Sequence, residues 1–263
     1  MITKTDAMVL KSMRYRDTSK IVTFYTRRYG KLKAIAKGAR DTKSKFGAAL
    51  EPMTLSSLVL YKKEQRDLQL VSQCDIVKQY KRIHAEMARM SVALSALELV
   101  NQLTHGEEEN LPLFSLLVNT FDALEDAEMN FGSFLYAFEI RIAALFGFAL
   151  HLEKCISCGR NVEIDEQSGS LMFDMAKGGI YCPICSAARG TAGSGGHSQH
   201  RLHAQTVAVL RQLSSLEFEN IPTLQYLSAV GNELNETLRL YLQYHVEGLK
   251  PLKSAKVFQK LLV

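Results

Sequence analysis

Four of the five cysteines form two C-x-x-C pairs, Cys155 with Cys158 and Cys182 with Cys185, separated by 23 residues. Each pair can present two thiolates from one tight turn, and two such turns complete the tetrahedral four-sulfur site that zinc prefers. Because four thiolates leave no open coordination position, we expect one structural zinc rather than a catalytic one. A thioredoxin-like dithiol is a weaker alternative, since one pair would suffice for it. The fifth cysteine, Cys74, fits a small buried apolar residue in a strand.

Three histidines, His197, His200 and His203, follow at three-residue spacing within a stretch rich in glycine and serine over residues 190–203. They allow a second metal site, but this stretch contains neither cysteine nor carboxylate. Its composition favours a flexible linker that runs into a helix.

No catalytic motif stands out in the rest of the chain. Neither G-x-S-x-G nor H-E-x-x-H occurs, and the acidic cluster at residues 107–109 is typical of a solvated loop. The segment GARDTKSK, residues 38–45, is similar to a phosphate-binding loop, but Thr42 stands where such a loop needs its second glycine. We therefore expect a protein without catalytic activity, and a zinc-dependent enzyme acting on nucleic acid is the alternative.

Positive charge is concentrated at the N-terminus. Residues 1–80 have 17 Lys and Arg against 7 Asp and Glu, a net of +10, whereas residues 81–263, with 15 against 20, carry −5. Such asymmetry predicts a module that binds a polyanion on a neutral-to-acidic scaffold, although surplus lysine also serves solubility. The candidate nucleic-acid-binding cations are Arg14, Arg16, Lys20, Arg27, Arg28, Lys31, Lys33, Lys37, Arg40, Lys43 and Lys45.

Aromatic residues are interleaved with these cations: Tyr15, Phe24, Tyr25, Tyr29 and Phe46. Strand alternation also places Lys31, Lys33 and Lys37 on one face. Cations neutralise phosphates while aromatic rings stack on bases at about 1–3 kcal/mol each, which is what single-stranded nucleic acid requires. Several of these rings must fill a core, so the cations are the stronger candidates.

The elements that must position these residues change character near residue 80. Five strands without a long helix predict a small closed barrel over residues 1–80, and the OB-fold is the best-known candidate. The predicted strands, rich in β-branched and aromatic residues, are Ala7–Leu10, Lys20–Thr26, Lys31–Lys37, Met53–Tyr61 and Asp67–Val77.

Residues 81–263 have the apolar spacing of helices, interrupted by the cysteine insertion at about residues 151–190. The insertion is expected to contain a small hairpin, with Leu171–Phe173 paired to Gly179–Tyr181. The fold class is therefore α+β, a five-stranded OB-fold barrel followed by an all-α domain with an inserted zinc finger. The predicted helices cover residues 82–103, a segment from Pro112, and residues 130–150, 202–216, 222–246 and 254–262.

We expect neither a membrane span nor an export signal. The longest apolar run, Ile142–Leu150, is about half the length that a membrane span needs, and charges interrupt the N-terminal segment where a signal peptide keeps an apolar core. We expect a cytoplasmic protein that does not bind a membrane.

The order and spacing of these features resemble the RecO family of bacterial recombination mediators. The resemblance runs nearly end to end, and no single motif decides it. It rests on Arg14–Asp17, Thr26–Lys31, Ala36–Arg40, Leu50–Pro52, the four cysteines and the C-terminal Gly248–Ser254.

The resemblance implies a non-enzymatic protein that binds single- and double-stranded DNA, anneals strands and helps load RecA at gaps, associated with the nucleoid. It also implies RecR and the C-terminal tail of single-stranded DNA-binding protein as partners. The tail is mixed acidic and apolar, which calls for an apolar groove with a cation at its rim. We place that pocket on the helix from Phe131 to Phe148, with Phe131, Phe138 and Arg141 as candidates. A structural adaptor whose basic barrel only aids solubility is a further alternative.

Overall fold

The protein is described by a computed structural model, which covers residues 1–63, 66–164, 169–188 and 199–255. The chain divides into two compact units. The first contains residues 1–126 and the described residues from Leu252 onward, and the second contains residues 127–251. The domain boundary predicted at residues 80/81 separates the barrel from helices of the first unit and stays a prediction.

A closed five-stranded barrel opens the first unit, as predicted. Its strand order is β1-β2-β3-β5-β4; the parallel pairing of β3 with β5 and the antiparallel pairing of β1 with β4 close the sheet. The strands are β1 (Ile2–Tyr15), β2 (Ser19–Thr26), β3 (Gly30–Ala36), β4 (Thr54–Tyr61) and β5 (Leu68–Gln79).

The barrel is filled by alternate residues of each of its five strands, those that face inward. Val22, Phe24 and Leu32 are buried there with small residues such as Ala34, because side chains of a strand alternate between the two faces of a sheet. The connection between β3 and β4 returns into this core with Phe46, which is also buried. The interior is therefore packed by the sheet and by one loop.

Helices α1 (Lys81–Ala85), α2 (Met87–Leu103) and α3 (Leu111–Asp126) complete the first unit. The single helix predicted over 82–103 is wrong at Glu86, whose backbone is extended. The break places the guanidinium of Arg89, which is buried, where it donates to the Leu124 carbonyl at 2.6 Å and to the Glu86 carboxylate at 2.6 Å. The hydrogen bonds of the buried Arg89 guanidinium thus compensate for the interruption of the helix at Glu86.

The second unit contains α4 (Phe131–Leu145), α5 (Pro183–Ala188), α6 (Ala204–Ser215) and α7 (Ser228–His245). Its three-stranded sheet has the order β7-β6-β8, built from β6 (Ser170–Asp174), β7 (Gly179–Tyr181) and β8 (Gln199–His203). The predicted hairpin within the insertion is confirmed as β6 and β7. The predicted helix over 222–246 starts later, at Ser228, because the chain first forms a short 3-10 helix that contains Pro222.

None of the helices in the described ranges is both long and apolar enough to cross a membrane.

Candidate nucleic-acid interface and metal centre

The two ends of the barrel have different surroundings, and the predicted cations are divided between them. The first end, here called the cavity end, is formed by the β1–β2 turn at residues 16–18 and the loop 37–53. The second, here called the loop-covered end, is formed by the β2–β3 turn at residues 27–29 together with the acidic loop 105–110. The sequence alone did not separate the two groups of cations.

A cavity of about 620 Å³ lies at the cavity end. Its lining includes Ser12, Arg14, Lys20 and Arg40. Arg14 pairs with Lys20 across β1 and β2, and Lys20 shares its strand face with the buried Val22 two residues on. These two cations therefore stand on the inner face of the sheet, where the barrel interior meets solvent.

Arg40 braces the wall of this cavity. Its guanidinium donates to the carbonyl oxygens of Arg16 at 3.2 Å and Asp17 at 2.9 Å, and its backbone N–H donates to the Thr18 carbonyl at 2.8 Å. The braced turn needs this support because Arg16 has a left-handed backbone, with φ of 51°. Arg40 thus acts as a positioning residue as well as a charge.

Two neighbouring rows of side chains cross the outer face of β1, β2 and β3. One row is Lys11, Thr23 and Lys33, and the other is Met13, Ile21 and Ile35. Both lysines are exposed and Met13 is half exposed. Sequence reasoning missed Lys11 and Met13, because a bulge between Val9 and Lys11 shifts the register that places them outward.

The other predicted cations near the cavity end differ in whether another group of the protein binds their side chains. Within the described residues, Lys37 and Lys43 are exposed and form no hydrogen bond or ion pair. Lys45 is instead held, since its Nζ donates to the Ser72 carbonyl at 2.6 Å and lies over the Phe46 ring. The first two lysines are the ones available to a phosphate.

The loop-covered end supplies its own anions. Glu107 forms an ion pair with Lys62 at 2.8 Å and accepts a hydrogen bond from the Gln69 side chain at 3.2 Å. Gly30 has φ of +60°, and a Cβ there would overlap the Glu108 carbonyl oxygen. The three glutamates at residues 107–109 are exposed, as expected of a solvated loop. These two contacts nevertheless hold the loop against the barrel.

Lys31 is bound to a helix at this end. Its Nζ donates to the Asn101 carbonyl at 2.7 Å, in the last turn of α2, where a cation also complements the helix dipole. Burial, followed by repulsion from Lys33, lowers the pKa of the Lys31 ammonium. This lysine therefore contributes to the barrel–helix contact, whereas Arg27 and Arg28 at the nearby turn are exposed.

The aromatic residues are mostly committed to packing, as expected. Phe24, Tyr25 and Phe46 are buried and offer no ring face to a base. Burial, with the charge of Glu108 adding to it, raises the pKa of Tyr25 to about 12. Tyr15 is half-buried with Arg16 over its ring at 5.3 Å, and Tyr29 is held through its hydroxyl by Thr3 at 2.5 Å. The exposed apolar surface of the barrel is therefore more aliphatic than the sequence suggested.

The four predicted cysteines come together in the second unit, with their sulfur atoms within 4.8 Å of one another. The first pair lies on a turn closed by the Gly159 N–H donating to the Cys155 carbonyl at 2.9 Å, and Gly159 adopts a φ of +73°. The second pair brackets the start of α5, which follows β7 directly. Sequence spacing alone predicted this cluster.

The cluster fits a tetrahedral metal ion. Zinc–sulfur bonds of about 2.3 Å imply sulfur–sulfur edges of about 3.8 Å in a tetrahedron, and the Cys158 and Cys182 sulfurs are 3.8 Å apart. Burial of Cys155 opposes ionisation, but the backbone N–H groups of Cys182, Cys158 and Ser157 outweigh it and lower the pKa of its thiol to about 6. A pre-ionised thiolate is the form that a metal requires.

The predicted histidine linker is corrected at its described end. His197 lies outside the described residues, whereas His200 and His203 belong to β8, which pairs with β6. The Nδ1 of His203 is 3.0 Å from a Glu233 carboxylate oxygen. Among the described residues, the four-cysteine cluster is the only group placed to hold a metal ion.

The residues predicted for a partner-tail pocket lie along α4. Phe138 is fully buried, so it offers no surface to a peptide. The Arg141 guanidinium lies 4.0 Å from the Phe218 ring centroid and donates to the Leu216 carbonyl. Phe131 is half-buried. These positions do not support Phe138, and the pocket stays a prediction.

Comparison with known proteins assigns the whole chain. The family model described as "Recombination protein O N terminal" matches residues 1–80, and "Recombination protein O C terminal" matches residues 84–256. Three relatives are each named "DNA repair protein RecO". That of Chloroherpeton thalassium is 30% identical over 100% of both chains, and that of Chlorobium limicola is 31% identical over 100% of this chain and 99% of its own. The protein of Alkaliphilus metalliredigens is 30% identical over 99% of this chain and 100% of its own. With its barrel, helices and cysteine cluster in the matched order, this chain belongs to the RecO family.

Proposed function

We propose that this protein is a DNA-repair mediator that binds single- and double-stranded DNA without catalytic turnover. The observation that carries the proposal is the surface at and beside the cavity end, where lysines without intramolecular partners adjoin exposed apolar side chains. The names of the relatives support a role in DNA repair. A cytoplasmic, nucleoid-associated location follows from that role.

The outer face of β1, β2 and β3 suits an unstacked strand. Lys11 and Lys33 stand in one row and the partly exposed Met13, Ile21 and Ile35 in the next. Lys11 and Lys33 are two strand spacings apart, with Thr23 between them, so their backbones are separated by roughly 10 Å. Their long side chains can therefore reach neighbouring phosphates while bases cover the apolar row. Such contacts tolerate any sequence, because they use the phosphate charge and the face of the base.

Salt dependence tests DNA binding directly. We expect the affinity for a single-stranded oligonucleotide to fall steeply with salt concentration, because each neutralised phosphate releases counterions. Lys37→Ala with Lys43→Ala should reduce the slope of log affinity against log salt by about 0.7 for each lost contact. The matched control, Lys81→Ala with Lys253→Ala, removes the same charge from exposed positions of the same unit. A flat salt response, or an equal loss in both double variants, would count against the proposal.

The cysteine cluster is proposed to hold one structural zinc ion. Its four thiolates would fix the two turns of the finger and leave no position for substrate. Metal analysis should find one zinc per chain, lost in Cys155→Ser together with thermal stability. The control Cys74→Ala alters a buried thiol outside the cluster and should retain the zinc. Full stability of the metal-free protein would contradict a structural role, and metal-dependent turnover of DNA would support the enzyme alternative.

The wider mediator role needs protein partners. We propose that the chain anneals complementary strands, binds RecR and the C-terminal tail of single-stranded DNA-binding protein, and so helps to load RecA. Annealing of complementary oligonucleotides coated with single-stranded DNA-binding protein tests the combination. Deletion of the tail from the coating protein should abolish annealing of coated strands but not of bare strands. Equal annealing with and without the tail would exclude this partner.

A further inference from the structure

Two cations face each other on the inner side of the sheet at the cavity end. Arg14 and Lys20 are direct cross-strand partners, and both line the cavity. Like charges placed directly opposite each other destabilise a sheet. Their arrangement therefore requires a neighbouring anion.

Only part of that requirement is met within the described residues. Lys20 forms an ion pair with Glu51 at 2.5 Å. Arg14 is exposed and has no hydrogen bond or ion pair. The third cation of the lining, Arg40, is held by two carbonyl groups that carry no net charge. Asp41 is the second carboxylate of the lining but forms no ion pair within the described residues, so the anion position beside Arg14 remains open.

The rest of the lining is rich in hydroxyl groups. Ser12 lies beside Arg14 along the same strand face, and Thr42 and Ser44 come from the loop opposite. The Ser12 hydroxyl is buried and has no hydrogen-bond partner in the described structure. The cavity of about 620 Å³ is lined by three cations, by hydroxyl groups and by the carboxylates of Asp41 and Glu51. It is large enough for a phosphate group with its attached sugar, which guanidinium and ammonium groups bind through charge-assisted hydrogen bonds.

We propose that the cavity at this end of the barrel binds one phosphate group of a DNA strand, held by Arg14 and Lys20. The site rests on the proposed DNA-binding function and assigns it a fixed anchoring point. Glu51 competes with the phosphate for Lys20, and the bound phosphate releases Lys20 from that carboxylate. Arg40 positions the adjoining turn. The group has two possible sources, the phosphomonoester at a strand end and an internal phosphodiester.

Inorganic phosphate is the first probe. In ¹⁵N-labelled full-length protein, phosphate should shift backbone resonances of residues 12–20 and 39–51 more than those around Lys33. Arg14→Gln should weaken this binding roughly tenfold, as expected for loss of a charge-assisted contact, whereas the control Lys81→Gln, at an exposed position of the same unit, should leave it unchanged. Glu51→Gln should strengthen binding a few-fold, an effect that loss of folding would not produce. Unchanged phosphate affinity in both Arg14→Gln and Glu51→Gln would overturn the proposal.

Oligonucleotides that differ only at their ends identify the source. A gain of about tenfold from a 5′- or 3′-phosphate, lost in Arg14→Gln and retained in the control Lys81→Gln, assigns the cavity to a strand end. No gain from an end phosphate, combined with a weaker salt dependence in Arg14→Gln, assigns it to an internal phosphodiester. Oligonucleotide binding that depends on Lys33 but not on Arg14 would overturn the pocket while leaving DNA binding intact. Phosphate binding without oligonucleotide binding would instead retain the pocket and contradict the proposed function.

Discussion

The two ends of the barrel carry similar cations but differ in what neutralises them. At the loop-covered end, the chain's own Glu107 pairs with Lys62, and the Glu108 backbone lies against Gly30. At the cavity end, Glu51 is the carboxylate that pairs with Lys20, and Arg14 remains without an anion in the described structure. A cation that the protein has already neutralised gains little from a phosphate, so the comparison predicts that DNA prefers the cavity end.

Gly30→Ala offers the strongest test of the close contact at the loop-covered end. A side chain there would combine left-handed backbone strain with overlap of the Glu108 carbonyl, so we expect a loss of roughly 3 kcal/mol in the free energy of unfolding. Gly47→Ala is the matched control, because Gly47 has φ of +49° and open space around it. It should cost about 1 kcal/mol. Urea unfolding measures both variants. If their free energies of unfolding fall by the same amount, the acidic loop is not in close contact with the barrel at Gly30.

Charge reversal at each end compares their contributions to DNA binding. Lys37→Glu with Lys43→Glu should weaken single-stranded DNA binding at least roughly tenfold, because two phosphate contacts become repulsive. Arg27→Glu with Arg28→Glu changes the charge equally and should weaken binding less than about threefold, as expected beside an acidic loop. Fluorescence anisotropy at one fixed salt concentration measures both. A larger loss of DNA affinity in the Arg27→Glu and Arg28→Glu variant would mean that DNA prefers the loop-covered end.

Neutralising the acidic loop should reduce the difference in DNA binding between the two ends of the barrel. Glu107→Gln with Glu108→Gln keeps hydrogen-bonding groups but removes two negative charges, so we expect DNA affinity to rise about threefold. The exposed pair Glu236→Gln and Glu247→Gln changes net charge by the same amount in the second unit. Equal gains in the two double variants would indicate a general charge effect rather than release of a covered surface.

Arg40→Lys should have the smallest effect. Lysine keeps the charge but cannot make the paired donation to the Arg16 and Asp17 carbonyls. Amide exchange in residues 16–18 should therefore become faster, while DNA affinity falls about twofold. If exchange is unchanged and affinity falls much further, Arg40 contacts DNA directly rather than positioning the turn.

The sequence predicted most of the fold because its signals are local. Runs rich in β-branched and aromatic residues identified the barrel strands. The C-x-x-C spacing identified the cysteine cluster, because the two cysteines of each pair are close together in the sequence. The break at Glu86 was missed, since it serves a buried arginine that bonds to residues about 35 positions away. β8 was missed because the glycine- and serine-rich composition just before it is typical of a linker.

The candidate DNA surface was less predictable, because charge neutralisation depends on tertiary contacts. Lys31 looked like Lys33 in sequence, yet its ammonium bonds to the Asn101 carbonyl 70 residues away. Lys62 likewise meets Glu107 only after α2 returns the chain to the barrel. Counting cations located the basic barrel, but only the structure separates neutralised cations from those without a partner among the described residues.

Lysine footprinting with and without single-stranded DNA tests the central claim most directly, since both ends present exposed lysines to the same reagent. At the loop-covered end, Lys4 and Lys63 are exposed; their carbonyls accept hydrogen bonds from Arg28 and from Gln69, which also contacts Glu107. The account predicts that DNA protects Lys11, Lys33, Lys37 and Lys43 from acylation while Lys4 and Lys63 stay reactive. Protection of Lys4 and Lys63 with continued modification of Lys37 and Lys43 would contradict it.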